Sequence, residues 1–376
     1  MKKEIVEGKA KVLIDEAEIV SKGLEAFYNP KMRLNRDFTI AIIRAIENEN
    51  IRIALPLAGT GVRAIRMLKE IPQFVNQIYV NDIDSKAIEY VKENLKLNNI
   101  KLKDEKIKIY NLEGNKFLTE IFGYDYIDID PFGSPNFLLD SSIRYISRKG
   151  VLGISATDTA ALAGTYPKTC QRKYFANSIV CPQKHEIGMR ILIRKVQLMG
   201  LHNEKYLEPI FSYHFEHYYR IFFKVSKSKD KASQAFEKLN TYHHHCKKCS
   251  YQFSDENKHT HCPECKEEII PTGPMYSGPL NDKKIINKLI FDENIPKEGK
   301  SILNRIKDEL ILQEIVGYYD THNVAYAHKF RSKGMQEIKN ELIKKGFKVV
   351  TSATNQTAIK TTAPYKEVVK ACKNLE

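Results

Sequence analysis

The string Asp128-Ile129-Asp130-Pro131-Phe132-Gly133-Ser134-Pro135 closes an apolar run, Tyr124 to Ile129, that reads as a buried strand. Asp130 then stands at the C-terminal end of that strand, followed by prolines, a ring and a glycine. In open α/β sheets that edge is where ligands bind. A carboxylate there accepts N–H hydrogen bonds and can take a proton. A rigid ring beside it can stack on a flat reactant. Asp128 points to the same face by strand alternation but lies deeper, so its expected role is supporting or structural.

A second set lies upstream. Ala58-Gly59-Thr60-Gly61 forms a tight turn after a strand at Ile51–Leu57. About 20 residues on, Asp82 ends the next strand, where a carboxylate can receive two ribose hydroxyls. Glu113-Gly114, beyond a third strand, offers contacts to an adenine edge. Arg36 and Arg63 can hold a cofactor carboxylate as charge-assisted forks; a structural salt bridge or an RNA contact is the other role open to either. No second mononucleotide half with its own fingerprint follows. The pattern is that of an S-adenosylmethionine site rather than a dinucleotide site.

A third set is metal-binding. Cys246-Lys247-Lys248-Cys249 and Cys262-Pro263-Glu264-Cys265 are C-x₂-C pairs separated by 12 residues. Four thiolates at that spacing fit one tetrahedral, structural zinc, with no open position for a catalytic water. The neighbouring His243, His244, His245, His259 and His261 are then expected to face solvent or RNA. Cys170, Cys181 and Cys372 read as plain thiols.

The elements that must position these sets follow from periodicity. Residues 1–20 read as a hairpin with Gly8 near its turn. Strands at Ile51–Leu57, Gln77–Val80, Lys106–Tyr110, Tyr124–Ile129 and Val151–Ser155 alternate with helices. Leu207–His214 and Tyr218–Val225 form an antiparallel pair. The fold class is α/β: a doubly wound, Rossmann-like sheet with an antiparallel terminal hairpin. Thr157–Pro167 reads as an irregular loop on the same edge as Asp130. Residues 226–245 and Pro271–Pro279 read as linkers. The last hundred residues give helices at Asp282–Phe291, Ile302–Ile315, Asn323–Phe330 and Met335–Lys345, then strands at Lys348–Ser352 and Ala358–Thr362, in winged-helix order. The expected domains are 1–240 for the sheet with its N-terminal extension, 241–276 for zinc and 277–376 for the helical, winged-helix-like end.

Lys and Arg number 60 against 46 Asp and Glu, a net charge of +14 that favours a polyanionic partner. From Thr321 onward the balance is 11 cations to 4 acids. No apolar run is long enough for a membrane span, and the N-terminus lacks the apolar core of a signal peptide. The expected location is cytoplasmic, with thiols and metal rather than disulfides.

Asp130-Pro131-Phe132 resembles the Asp/Asn-Pro-Pro-aromatic loop of methyltransferases acting on exocyclic amines of nucleobases. Further strings sharpen the resemblance. They are Phe27-Tyr28-Asn29-Pro30, Asn35-Arg36-Asp37, Thr60-Gly61-Val62-Arg63, Asn81-Asp82-Ile83, Ala156-Thr157-Asp158 and Ile359-Lys360-Thr361-Thr362-Ala363-Pro364-Tyr365. Their order over essentially the whole chain is similar to the tRNA (guanine-26 N2)-dimethyltransferases, zinc-bearing members included. One departure is Leu55-Pro56-Leu57, where many methyltransferases carry an acid. The resemblance implies S-adenosylmethionine as cofactor, tRNA as partner and no obligatory protein partner. It implies methylation of a guanine amine once and then twice. It places Asp130, with Pro131 and Phe132, at the catalytic position, and Arg36, Arg63, Asp82, Glu113 and Gly114 at the cofactor. Phe132 or Phe27 would form the wall on which a flipped guanine stacks. Gly133 and Ser134 would leave room for the first methyl. Two alternatives share part of the pattern: a DNA adenine N6-methyltransferase, and a non-catalytic zinc-ribbon and winged-helix RNA-binding protein.

Overall fold

The computed structural model describes residues 2–15, 28–290 and 295–373. Phe27 lies outside the described residues, as do 16–20 of the expected hairpin. Strands β1 (Lys2–Glu7) and β2 (Ala10–Asp15) pair antiparallel around Gly8. Helix α1 (Arg33–Ile46) follows. Then strands and helices alternate: β3 (Ile51–Leu55), α2 (Val62–Glu70), β4 (Val75–Asn81), α3 (Ser85–Leu97), β5 (Ile107–Tyr110), α4 (Gly114–Leu118), β6 (Tyr124–Ile129), α5 (Asn136–Tyr145) and β7 (Ile146–Ala156). The chain continues through α6 (Thr159–Leu162), α7 (Pro167–Tyr174) and α8 (Lys184–His202) into β8 (Tyr206–Phe215) and β9 (Tyr218–Ser226).

Among the described residues the main sheet has seven strands in the order β5-β4-β3-β6-β7-β9-β8. β3 to β7 are parallel, and β9 and β8 close the edge antiparallel. The order reverses between β3 and β6, so a crevice opens there at the carboxyl ends of the strands. Strand alternation sorts the side chains onto two cores. Ile53, Leu55, Ile78, Val80 and Tyr126 join one, packed by α1 and α2; Ala54, Tyr79, Ile127, Ile129 and Leu152 join the other, with α5 and α8. Asp128 and Asp130 share the parity of Tyr126 and so face the α1–α2 side.

Beyond the sheet the two expected linkers are structured. Residues 226–245 hold α9 (Lys229–Glu237) and β10 (Thr241–His245). The strand was unreadable because Thr-Tyr-His-His-His carries no apolar alternation. The stretch from Pro271 contains β12 (Thr272–Met275), which pairs with β10 beside β11 (Gln252–Asp255). Its Pro274 is tolerated because β12 is an edge strand. The loop expected at Thr157–Pro167 contains α6 and leads into α7.

The chain ends with α10 (Lys283–Lys288), α11 (Lys297–Glu309), β13 (Tyr319–Asp320), α12 (Thr321–Ala327), α13 (Met335–Lys344), β14 (Val349–Thr351), β15 (Ala358–Thr361) and α14 (Tyr365–Cys372). The sheet order β13-β15-β14 completes the winged-helix arrangement. β13 is two residues long, too short to leave a periodic signal. Ile286, Ile302 and Ile306 pack into the core that holds α1. Among the described residues no helix is long and apolar enough to cross a membrane.

Candidate active site

At the β3–β6 reversal lies a cavity of about 250 Å³. Leu55, Leu57, Ala58, Gly59 and Val62 form its apolar wall, with Arg36, Arg63, Asp128, Asp130, Pro131 and Phe132 around the polar side. The β8–β9 turn, Glu216 to Tyr218, closes the far rim. Asp130 leaves the end of β6 half-buried, its side chain 18% exposed, and accepts a hydrogen bond from Arg63 Nη2 at 2.5 Å. Phe132, 40% exposed, stands at the mouth. Gly133 takes φ +81°, the left-handed conformation that lets the loop turn back under Phe132.

Beneath Asp130 is a buried polar floor. Arg220, fully buried on β9, donates from Nη2 to Asp128 Oδ2 (2.5 Å), to Tyr126 Oη (3.1 Å) and to Thr39 Oγ1 (3.0 Å), and from Nη1 to Ser155 Oγ (3.1 Å). A Cβ on Gly153 would meet Arg220 Nη2 at 2.7 Å, so this glycine leaves the guanidinium its space. Tyr126 donates its hydroxyl to Asp128 (2.5 Å). Arg63 joins the same floor: it donates to Thr39 Oγ1 (2.9 Å) and Asn35 Oδ1 (3.2 Å), and its Nη1 lies 3.4 Å from Asp128. Burial opposes charge on Asp128, but Arg220 and Arg63 outweigh it and hold the carboxyl below the usual range. Asp128 is therefore committed to internal bonds.

Arg36 is held from the N-terminal hairpin. Glu7, 1% exposed, accepts from Arg36 Nε (2.6 Å) and Nη2 (2.5 Å), from Arg66 Nη1 (3.0 Å) and from Tyr28 Oη (2.8 Å). Burial works to raise the Glu7 carboxyl, yet Arg36 and Arg66 take it down to about 2. Both arginines singled out in the sequence thus sit in the cavity and in internal ion pairs.

Asp82, Glu113 and Gly114 do not line the cavity; they continue the same sheet edge. Asp82 accepts from the backbone N–H of Gly59 (2.9 Å), a cavity residue, and burial raises its carboxyl despite that bond. Asn111 donates to the Asp82 carbonyl (2.8 Å), and Asn81 and Leu112 exchange bonds. That carries the edge across to Glu113. The Glu113 carboxylate caps α4, accepting from the N–H groups of Asn115 (2.9 Å) and Lys116 (3.1 Å). Burial works to raise it, but these bonds win and lower it.

The cysteine cluster stands apart. The sulfurs of Cys246, Cys249, Cys262 and Cys265 all lie within 4.8 Å of one another, with Cys246–Cys265 at 3.5 Å and Cys249–Cys262 at 3.7 Å. A tetrahedral thiolate-bound ion with bonds of about 2.3 Å spaces its sulfurs by about 3.8 Å, so the donor set fits. The two pairs sit in equivalent turns. Ser250 N–H bonds back to Cys246 and Lys266 N–H to Cys262, and both Ser250 and Lys266 take left-handed φ. The histidine expectation is corrected: His243, His244 and His245 are buried on β10, not facing solvent or RNA. His244 stacks on Phe253 and His243 bonds Ser254, so consecutive side chains of β10 are covered by protein. Cys170, Cys181 and Cys372 are buried thiols.

Sequence reasoning passed over Glu7, Thr39, Ser155 and Arg220. Arg220 had a signal: a lone cation inside Tyr218-Tyr219-Arg220-Ile221-Phe222-Phe223 needs a buried partner. Glu7, in an exposed-looking hairpin, had none.

Residues 8–373 match the family model described as N2,N2-dimethylguanosine tRNA methyltransferase. The tRNA (guanine(26)-N(2)/guanine(27)-N(2))-dimethyltransferase of Aquifex aeolicus is 39% identical over 333 residues, covering 84% of this chain and 82% of that one. The tRNA (guanine(26)-N(2))-dimethyltransferase of Methanocaldococcus jannaschii is 36% identical, covering 97% of each. The structure of Trm1 from Pyrococcus horikoshii, solved with S-adenosyl-L-methionine, superimposes with a TM-score of 0.88 at 32% identity, over 99% of this chain and 100% of that one. A match of this length, on a chain whose aspartate-proline loop, switch-point cavity and cysteine turns stand where they do, means that the protein belongs to the N2,N2-dimethylguanosine tRNA methyltransferase family.

Proposed function

We propose that the protein methylates the N2 amine of a guanine in tRNA, at position 26, first once and then again. Support comes from the family, from relatives acting at that position, and above all from Asp130. The half-buried carboxylate stands at the mouth of the switch-point cavity with an exposed ring beside it.

S-adenosylmethionine, when bound, supplies an electrophilic methyl group. The residues fit such a group. The apolar wall from Leu55 to Val62 suits its uncharged parts, Asp82 its ribose hydroxyls, Glu113 and Gly114 the adenine edge, and Arg36 and Arg63 its carboxylate. Asp130 accepts the N–H bonds of the guanine amine, orients its lone pair, and takes the proton the nitrogen sheds. Pro131, buried, stiffens the loop; Phe132 stacks on the base and keeps water off it. Arg63 serves from behind by fixing the Asp130 carboxylate. Catalysis is then mainly positioning. Open space around Gly133, where a Cβ would meet nothing within 4 Å, leaves room for the first methyl.

In this reading residues 1–240 carry the chemistry and the metal in 241–276 is structural zinc. Residues 277–376 bind tRNA, and the protein works in the cytoplasm. The test is incubation with labelled S-adenosylmethionine and either bulk tRNA or duplex DNA, followed by nucleoside identification. Label in N2-methyl- and N2,N2-dimethylguanosine is expected. Label in N6-methyladenine, or none at all, would sink the proposal.

A further inference from the structure

Thr157, Asp158 and the helix that follows take no part in the chemistry above, yet they are built onto the catalytic loop. Thr157 N–H donates to the Gly133 carbonyl (2.9 Å), and its Oγ1 accepts from Gly133 N–H (2.6 Å). Asn136 Nδ2 donates to the Lys173 carbonyl (2.8 Å). Asp158 receives Lys173 Nζ (3.2 Å) and Tyr174 Oη (2.7 Å). The feet of the segment are pinned together as well. At Gly164, φ +92°, a Cβ would lie 2.1 Å from the Ile179 carbonyl carbon, and Ser178 Oγ donates to the Ala161 carbonyl (2.7 Å). Helix α7 is therefore tied by hydrogen bonds to the loop that follows Asp130.

Its outer side has a different character. From Thr159 to His185 there is no Asp or Glu, while Lys168, Arg172, Lys173 and Lys184 all fall there. Lys168 and Arg172 are exposed. Two rings bracket the helix: Tyr166, 61% exposed, and Phe175, 62% exposed, with Lys195 Nζ 4.2 Å from the Phe175 ring centre. Exposed cations between exposed rings are what irregular or unstacked nucleic acid needs, phosphates for the first and bases for the second.

We propose that α7, with Tyr166 and Phe175, is the docking strip for the tRNA backbone flanking the target guanine. Lys168 and Arg172 grip phosphates, and the bonds from Thr157, Asp158 and Asn136 fix the distance from that grip to Asp130. Charge selects the occupant, since a segment with exposed Lys168 and Arg172 and no acidic residue of its own from Thr159 to His185 fits a polyanion. The inference rests on the tRNA reading above.

The test uses the full-length, metal-loaded protein with Lys168 and Arg172 both changed to Ala. Binding of tRNA is measured over a salt series, with melting temperature and S-adenosylmethionine binding as controls. The expected outcome is a tRNA Kd raised about tenfold, and a log Kd–log salt slope shallower by roughly 1 per cation removed. Melting temperature and S-adenosylmethionine affinity stay unchanged. An unchanged Kd and slope, with a wild type that methylates tRNA, overturns the inference alone. A wild-type dimer that the double variant dissolves, tRNA affinity intact, assigns the strip to a second copy and overturns it too. A wild type that neither binds nor methylates tRNA takes the function down with it.

Discussion

Asp130 and Asp128 are two residues apart and do different work because only one has a fully closed surrounding. Asp128 is sealed under Arg220, Tyr126 and Arg63, so its charge is spent inside the protein. Asp130 shares one guanidinium and keeps an open side toward the cavity. A buried pair broken from one side leaves an uncompensated charge. Arg220→Met should therefore cost about 3–5 kcal/mol of folding stability, read from the urea midpoint. Adding Asp128→Asn should return part of that loss, because it removes the stranded charge. A single variant as stable as wild type would show that the floor does not hold the loop.

At the scale of elements, the β1–β2 hairpin is clasped to α1 and α2 by Glu7, and this clasp is titratable. The Glu7 carboxyl lies below its ordinary 4.5, at about 2. A depressed acid contributes stability in full above its unfolded value and loses it as pH falls toward its folded one. That depression corresponds to about 3 kcal/mol, so stability should drop between pH 4.5 and 2. Glu7→Gln should flatten this step in acid-unfolding curves; a step of the same size in the variant would assign it elsewhere. The hairpin itself was legible from its alternation, and so were β3 to β7, α3 and the antiparallel pair. What it clasps was not legible, because Glu7 and Arg36 are 29 residues apart and meet only through the fold. β10 and β12 escaped for a local reason: histidines and a Gly-Pro pair carry no apolar period, and only tertiary pairing makes them strands. The Asp130 loop was legible as a loop at a strand end because its residues are contiguous. The Arg63–Asp130 bond was not, being 67 residues apart in sequence.

At the scale of the whole molecule, the cysteine module is packed against the winged helix. Tyr365 donates its hydroxyl to the Cys249 carbonyl, Ser250 Oγ donates to the Asn323 carbonyl (3.1 Å), and the Tyr251 and Tyr365 rings meet edge-on at 5.1 Å. A buried Lys360 on β15 ties the winged helix to α8 and α11 through Glu186 (3.1 Å) and Glu309 (2.7 Å). Removing the proposed zinc should therefore loosen 241–275 and 319–373 together, seen as faster amide exchange, while 51–156 stays protected and S-adenosylmethionine still binds. Exchange rising first in 51–156 would contradict that division. In the function proposed above, the module and the winged helix present the tRNA and the sheet edge does the chemistry. The most direct test of that chemistry is Asp130→Ala, assayed for N2-methylguanosine formation in tRNA alongside calorimetric binding of S-adenosylmethionine. The account predicts methyl transfer reduced by about 10²–10⁴-fold with cofactor affinity kept. Methylation near the wild-type rate would contradict it.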